Sequence, residues 1–247
     1  MNLKKIPGNF KSSSLLLLLC LCLYSAHPGE AYSSFEKSHC YKIYQEKLYE
    51  NLLSCTEKYA KSGDLMAVYF MGKIYYEGLE TPRNYKKAYE WYSLAAGDSY
   101  PEAENQLGRM LEEGKGVVQN YARAYYWYKR AALKDHAPAQ YNLAEMLSSG
   151  RGIDRDVKQA YIWSLIATSN GHKDAIRLRD NLEINLKSLE LLKTQNHAQA
   201  LDEDIKSGKA IERFMAEEKA RELAQLTEEA AKKTEAEALA KSKKNKK

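Results

Sequence analysis

The residue types that do acid–base, nucleophilic or metal chemistry are few here, and their spacing suits none of it. The chain of 247 residues has five histidines: His27, His39, His136, His172 and His197. It contains no H-E-x-x-H helix, no Walker-type glycine loop and no G-x-S-x-G elbow. Carboxylates are numerous, yet their spacing puts them on solvated helix faces, and none can be argued into a buried acid–base pair. Nineteen tyrosines and three tryptophans recur at regular intervals, which fits packing better than a sugar-stacking platform. The reading is therefore no catalytic residue, no metal ligand set and no cofactor.

The first elements to set aside are those that direct the chain elsewhere. Lys4, Lys5 and Lys11 precede a leucine-rich run, Leu15 to Tyr24, about half the ~20 residues that span a bilayer as a helix. Gly29 and Ala31 then supply small residues before a cleavage point at Tyr32. Residues 1–31 read as a signal peptide, with an uncleaved signal anchor as the alternative. Of the +5 net charge, the last seven residues alone supply five lysines. The body between leader and tip is close to neutral, which argues against a nucleic-acid-gripping surface. Membrane contact is expected only through that basic C-terminal tip.

A repeat of 36 residues organises the middle of the chain. Ala67, Ala103, Ala139 and Ala175 share one register. So do Trp91, Trp127 and Trp163, and Gly78, Gly114 and Gly150. In each unit a first helix is expected from apolar residues at i, i+3, i+4 and i+7, as at Ala67, Phe70, Met71 and Ile74. Gly78, Gly114 and Gly150 should end those helices. Asn84, Asn120 and Asp156 should cap a second helix. No stretch alternates with period two, so no sheet is expected. His136 and His172 share a register between units. Equivalent positions of stacked hairpins are about 10 Å apart, a helix diameter, so the pair is not expected to share a zinc ion.

The pattern resembles the Sel-1-like repeat, a longer relative of the tetratricopeptide repeat. The resemblance rests on Ala103–Gly108 (AENQLG), Glu113–Val117 (EGKGV) and Tyr121–Ala132 (YARAYYWYKRAA). It covers units 64–99, 100–135 and 136–171. Glu80 stands where the first unit should carry its second glycine, and Ala144 replaces a glycine in the third; both are expected to loosen local geometry. Residues 32–63 look like an N-terminal half-repeat hairpin, and 172–208 like capping helices. Residues 209–247 form an Ala/Glu/Lys-rich tail, either a lone charged helix or disordered. The resemblance implies an all-α, right-handed α/α solenoid that binds other proteins.

Two site expectations follow. In tetratricopeptide-like solenoids the first helices line the concave surface, which here would present Tyr69, Lys73 and Tyr76, then Asn105, Arg109 and Glu112, then Tyr141, Glu145 and Ser148. That mixture suits another protein or an extended peptide, not a small-molecule substrate. Second, a hairpin turning near Lys47 would bring Cys40 and Cys55 to similar height as a disulfide, which an exported chain permits. Two buried thiols, or one continuous helix over 35–60, are the alternatives. The functional expectation is an exported, periplasmic or secreted, non-catalytic scaffold of bacterial style. A wall-glycan binder using surface tyrosines is the alternative, and a cell-wall or β-lactam hydrolase lies further off.

Overall fold

Apolar faces at helical spacing, punctuated by glycine and asparagine, dictate an all-helical chain. The computed structural model describes residues 33–244, and among them every regular element is a helix. The expected signal peptide and the last three lysine-rich residues lie outside the described residues. The chain divides into two units after Arg83.

The first unit holds α1 (Ser33–Glu36), α2 (His39–Gln45), α3 (Leu52–Lys61) and α4 (Leu65–Glu77). Helices α2 and α3 form a short hairpin, tied by a disulfide between Cys40 and Cys55 whose Cα atoms are 5.7 Å apart. Helix α3 packs on α4. Phe70, on α4, is 5% exposed and sits under the rings of Phe35, Tyr41 and Tyr44, with centroids 4.8–5.5 Å away. Asp64 caps α4 through Ala67 N–H at 3.0 Å, and its other oxygen accepts from Phe35 N–H at 2.9 Å. One carboxylate thus fastens the start of the described chain to the first full repeat.

The second unit holds α5 (Tyr85–Gly97), α6 (Pro101–Glu113), α7 (Tyr121–Ala132), α8 (Ala137–Ser149), α9 (Val157–Ser169), α10 (Lys173–Glu183), α11 (Ser188–Lys206) and α12 (Lys209–Lys244). Helices α5 to α10 pack each on the next as an α/α solenoid. The caps follow the register: Asn84, Asn120 and Asp156 accept from Lys87, Arg123 and Gln159 N–H at 2.9–3.0 Å. Gly78, Gly114 and Gly150 end the first helices in the left-handed conformation. The core is made largely of small residues. Ala88, Ala103, Ala124, Ala139, Ala160 and Ala175 are fully buried, which lets helix backbones approach closely.

The tryptophan register is not the fully buried aromatic layer that its periodicity indicates. Trp163 is buried, whereas Trp91 and Trp127 are only half-buried. The buried aromatics lie one residue further on: Tyr92 and Tyr128 are at most 1% exposed. A Cβ on Gly108 would meet the Tyr128 ring at 2.6 Å, so this helix crossing requires glycine. One repeat later, Ala144 stands for Gly108 and Ser164 for Tyr128, both fully buried. The smaller serine leaves room for the methyl, so Ala144 fits this packing without loosening it.

Glu80 likewise keeps the local geometry. Gly116 and Gly152 have φ of +73° and +74°, and a Cβ there would strike the backbone or Cβ of Tyr85 and Tyr121 at 2.2–2.4 Å. Each turn therefore lies against the start of the second helix one hairpin back. Glu80 also takes a positive φ of 57°. Its carboxylate accepts from Asn51 and Leu53 N–H at 3.0 and 2.6 Å, capping α3, whose own N-cap residue makes no side-chain bond. A side chain does in the first repeat what backbone packing does in the next two.

One carboxylate departs from the expectation of exposed acids. Glu104, on α6, is fully buried and pairs with Lys134 at 2.6 Å and Arg130 at 2.9 Å. Lys134 also donates to Ser99 O at 3.1 Å. Burial raises the Glu104 pKa against the pull of Lys134 and Arg130, and burial lowers that of Lys134 against the pull of Glu104. Desolvation thus outweighs attraction on both sides. The next repeat builds the same clamp without net charge pairing: Gln140 accepts from Asn170 at 3.0 Å, and Asn170 donates to Asp135 at 2.6 Å.

The C-terminal helices extend the core. Helix α11 packs on α9 and α12 on α11, burying Ala198, Ile205, Ala210 and Phe214. Phe214 lies 5.9 Å from the Tyr126 ring on α7. Beyond it, the described side chains of α12 are mostly exposed. The tail is thus a single helix over its described part, with its first turns packed on the body.

Two outcomes test this fold. Replacing Cys40 and Cys55 together by serine frees a closed loop of sequence separation 15 and should cost about 3 kcal/mol in the chain-entropy model, read by urea unfolding. Glu104→Ala leaves buried Arg130 and half-buried Lys134 without their carboxylate and should cost about 3–5 kcal/mol. Adding Lys134→Asn, as the third repeat has it, should recover part of that loss in a double-mutant cycle.

Candidate protein-binding face

The expected binding residues sit on first helices in both units. On α4, Tyr69, Lys73 and Tyr76 are half-buried. Tyr69 packs edge-on against Phe70 at 5.6 Å. Lys73 Nζ lies over the rings of Tyr44 at 4.9 Å and Phe70 at 5.8 Å, with Glu77 at 3.7 Å. Burial works against its charge, but the Tyr44 hydroxyl, Tyr69 and Glu77 outweigh it and raise its pKa. Lys73 is a held cation whose position is fixed by aromatic rings.

On α6 and α8 the six residues divide by task. Asn105 is 5% exposed, and its side-chain carbonyl accepts from Asn142 at 2.9 Å, tying α6 to α8. Glu112 accepts from the Tyr128 hydroxyl at 2.8 Å and pairs with Arg151 at 2.8 Å. Those two are largely engaged in holding hairpins together. Arg109 is 41% exposed, with Gln106 at 3.4 Å and Glu113 at 3.8 Å as loose partners. Its planar fork of donors remains available to a carboxylate. Tyr141 donates to Glu145 at 2.6 Å, and Ser148 donates to the Glu145 carbonyl at 2.9 Å. Arg109, Tyr141, Glu145 and Ser148 are therefore the half-exposed part of this face.

Spacing along the first helices did not reveal one member of this face. The His172 ring stacks on Tyr141, centroids 4.5 Å apart and 12° from parallel. His172 and His136 are the N-cap residues of α10 and α8. The missing signal was that their shared register falls at a helix start. His136 Nδ1 accepts from Ala139 N–H at 3.2 Å, which places its remaining proton on Nε2. Among the described residues no group of three His, Cys, Asp or Glu could hold a metal ion.

The opposite side of the unit carries a cleft of about 560 Å³, walled by Tyr125, Leu133, Ile153, Trp163 and Leu201. Lys129, Arg155, Asp154 and Asp156 edge it with both signs of charge, so it selects no ligand charge.

The cap at His136 makes a pH dependence. Burial, then the neighbouring His172, pushes its pKa down to about 4, whereas an unfolded histidine titrates near ~6.5. The unfolded chain therefore binds the proton first as pH falls. The contribution is complete above pH ~6.5 and declines towards pH ~4. His136→Asn keeps a capping acceptor without a titratable ring. Thermal melts across that window should show a shallower pH slope in the variant than in the parent.

A family model described as Sel1 repeat matches residues 65–98, 101–136 and 137–172. Among solved structures, the chain is similar to a Sel1 repeat protein from Oxalobacter formigenes, with 28% identity and a TM-score of 0.52. That match covers 55% of this chain and 56% of the other. It is also similar to a protective antigen present in uropathogenic Escherichia coli strains displaying an SLR fold, with 30% identity and a TM-score of 0.59, covering 67% of this chain and 35% of the other. The chain thus spans about half the length of the first and about a third of the second. No curated protein matches it. Sel1 repeat proteins generally act as non-catalytic scaffolds for protein–protein interaction. Three such repeats over residues 65–172, with their helices capped in register, make this chain a Sel1-like repeat protein.

Proposed function

We propose that this chain is an exported, non-catalytic scaffold that holds an extended, polar segment of another protein on its first helices. The observation that carries this reading is which side the chain covers by itself. Helix α11 packs on the second helix α9, and Phe214 packs on the second helix α7. The half-exposed residues of α6 and α8 stay outside that cover. Arg109 offers a carboxylate fork, while Tyr141 offers apolar area with a polar tip. The face lacks the long apolar trough that an amphipathic helix needs, which favours an extended chain.

Export rests on the leader read over residues 1–31 and on the Cys40–Cys55 disulfide, which an oxidising compartment sustains. Among the described residues no helix is long and apolar enough to cross a membrane. Periplasmic and extracellular placement are both compatible with these features.

A pull-down with the tagged mature chain from envelope extract, set against sedimentation with wall sacculi, separates a protein scaffold from a glycan binder. Against the retained protein, Arg109→Ala and Tyr141→Ala should each weaken binding by about 2 kcal/mol or more in titration calorimetry. Because Tyr141 also stacks on His172, its variant needs a melting control. Unchanged affinity in both folded variants would move the partner off this face.

A further inference from the structure

We propose that the outer face of α5 docks the exposed stripe of α12 from a second copy of this chain, giving a reciprocal, arm-exchanged dimer. The chain covers its own second helices from the C-terminal end. On α9 the outer face is taken by α11. Lys158 pairs with Glu190 at 2.9 Å, Ile162 and Thr194 line one cleft between the two helices, and Ile166 and Ala198 line another. The numbers rise together, so the helices run parallel. Trp163 and Ile166 are sealed beneath, at 4% and 2% exposure.

The same face recurs 36 residues earlier on α7, where Phe214 covers Tyr126 and Lys129 Nζ lies 5.1 Å from the Phe214 ring centre. Another 36 residues earlier the cover stops. On α5 the equivalents of Lys158, Ile162, Ile166 and Ser169 are Lys86, Glu90, Leu94 and Gly97. Leu94 is 58% exposed, and Trp91, the equivalent of buried Trp163, is half-buried. A Cβ on Gly97 would meet nothing. This face continues an interface that a helix already occupies on the two hairpins that follow.

A matching helix surface is present in the same chain. Past Phe214, helix α12 carries Met215 at 42%, Leu223 at 63% and Leu226 at 57% exposure. At 100° per residue these fall within about 80° of arc. The stripe carries Lys219 at its centre and is edged on one side by Glu222 and, further round, Glu218. It thus offers both signs of charge to Lys86 and Glu90 of α5, and Lys86 stands where Lys158 holds Glu190 in the cover of α9. Helix α12 is unbroken from Lys209 to Lys244 and Phe214 pins its start on α7. The stripe and the α5 face both stay exposed within one molecule, and a second copy supplies the missing half of each. Two reciprocal contacts of a few turns are small, near the low end of specific interfaces, so the dimer should be concentration-dependent.

The test is sedimentation velocity on the full mature chain over a dilution series, with Leu94→Glu and Leu226→Glu as variants. Both residues are more than half exposed, so the variants should fold, checked by their melts. The parent should move from monomer to dimer mass with concentration, and each variant should raise the dissociation constant at least about tenfold. An equimolar mixture of the two variants retains one intact contact per mixed dimer and should associate better than either alone. A parent that stays monomeric at every concentration would overturn the proposal. So would a dimer lost in Leu226→Glu but kept in Leu94→Glu, because two α12 helices would then be pairing with each other. Failure of the mixture to recover association would overturn the reciprocal pairing. None of these readouts involves Arg109 or Tyr141, so the peptide-binding reading stands or falls separately.

Discussion

Close approach of helix backbones through buried alanines is the constraint on which the rest depends. Each helix here is 12–13 residues long in the repeats, too short to be stable alone in water. Each must bury one face within its hairpin and another against the next. Alanine at positions such as 88, 103, 124 and 139 brings axes near enough for both at once, and all four are fully buried. With the spacing set by methyl groups, any large side chain must find a gap opposite. Tyr128 finds it over Gly108. The 36-residue step follows from this geometry, because an insertion in one hairpin would shift every alanine behind it.

That constraint also explains why departures from the repeat come in pairs. Where Tyr128 becomes Ser164, Gly108 becomes Ala144. Where Glu104 becomes Gln140, Lys134 becomes Asn170, and the buried clamp survives as amide hydrogen bonds. Where the turn glycine becomes Glu80, the side chain bonds to the helix start that the glycine would have packed against. A buried charge without its partner, or a methyl against a ring, costs several kcal/mol. Single changes are therefore disfavoured, and coupled ones keep the stack.

The repeat, the caps and the helix ends were legible in the sequence because they are local and periodic. Asn84, Asn120 and Asp156 are recognisable by type and position alone, since a cap is satisfied within its own helix. The burial of Trp91, Trp127 and Trp163 was not legible. One register holds both buried and half-buried tryptophans, because burial there depends on α11 and α12, whose sequences carry no repeat. The inward turn of Glu104 was equally hidden. A carboxylate on a helix reads as solvated, and only the tertiary placement of Lys134 and Arg130 makes its burial tolerable. On the candidate face, sequence spacing put Asn105 and Glu112 beside Arg109 but could not show that both are engaged by neighbouring helices.

The two sides of the stack obey different rules as a result. The first-helix side is held by internal polar ties, Asn105 to Asn142 and Tyr141 to Glu145. Tyr141 and Asn105 are fixed in place before any partner arrives, so little of their side-chain entropy remains to be lost on binding, whereas Arg109 is held only loosely. The second-helix side instead presents aromatic and aliphatic surface that the chain covers progressively less from α9 to α5. A surface of the first kind discriminates by the placement of a few polar groups, and one of the second kind gains from area buried. A solenoid can hold both because its helices alternate. Each hairpin lends one helix to each side, and the alanine layer between them leaves either side free to vary without disturbing the other.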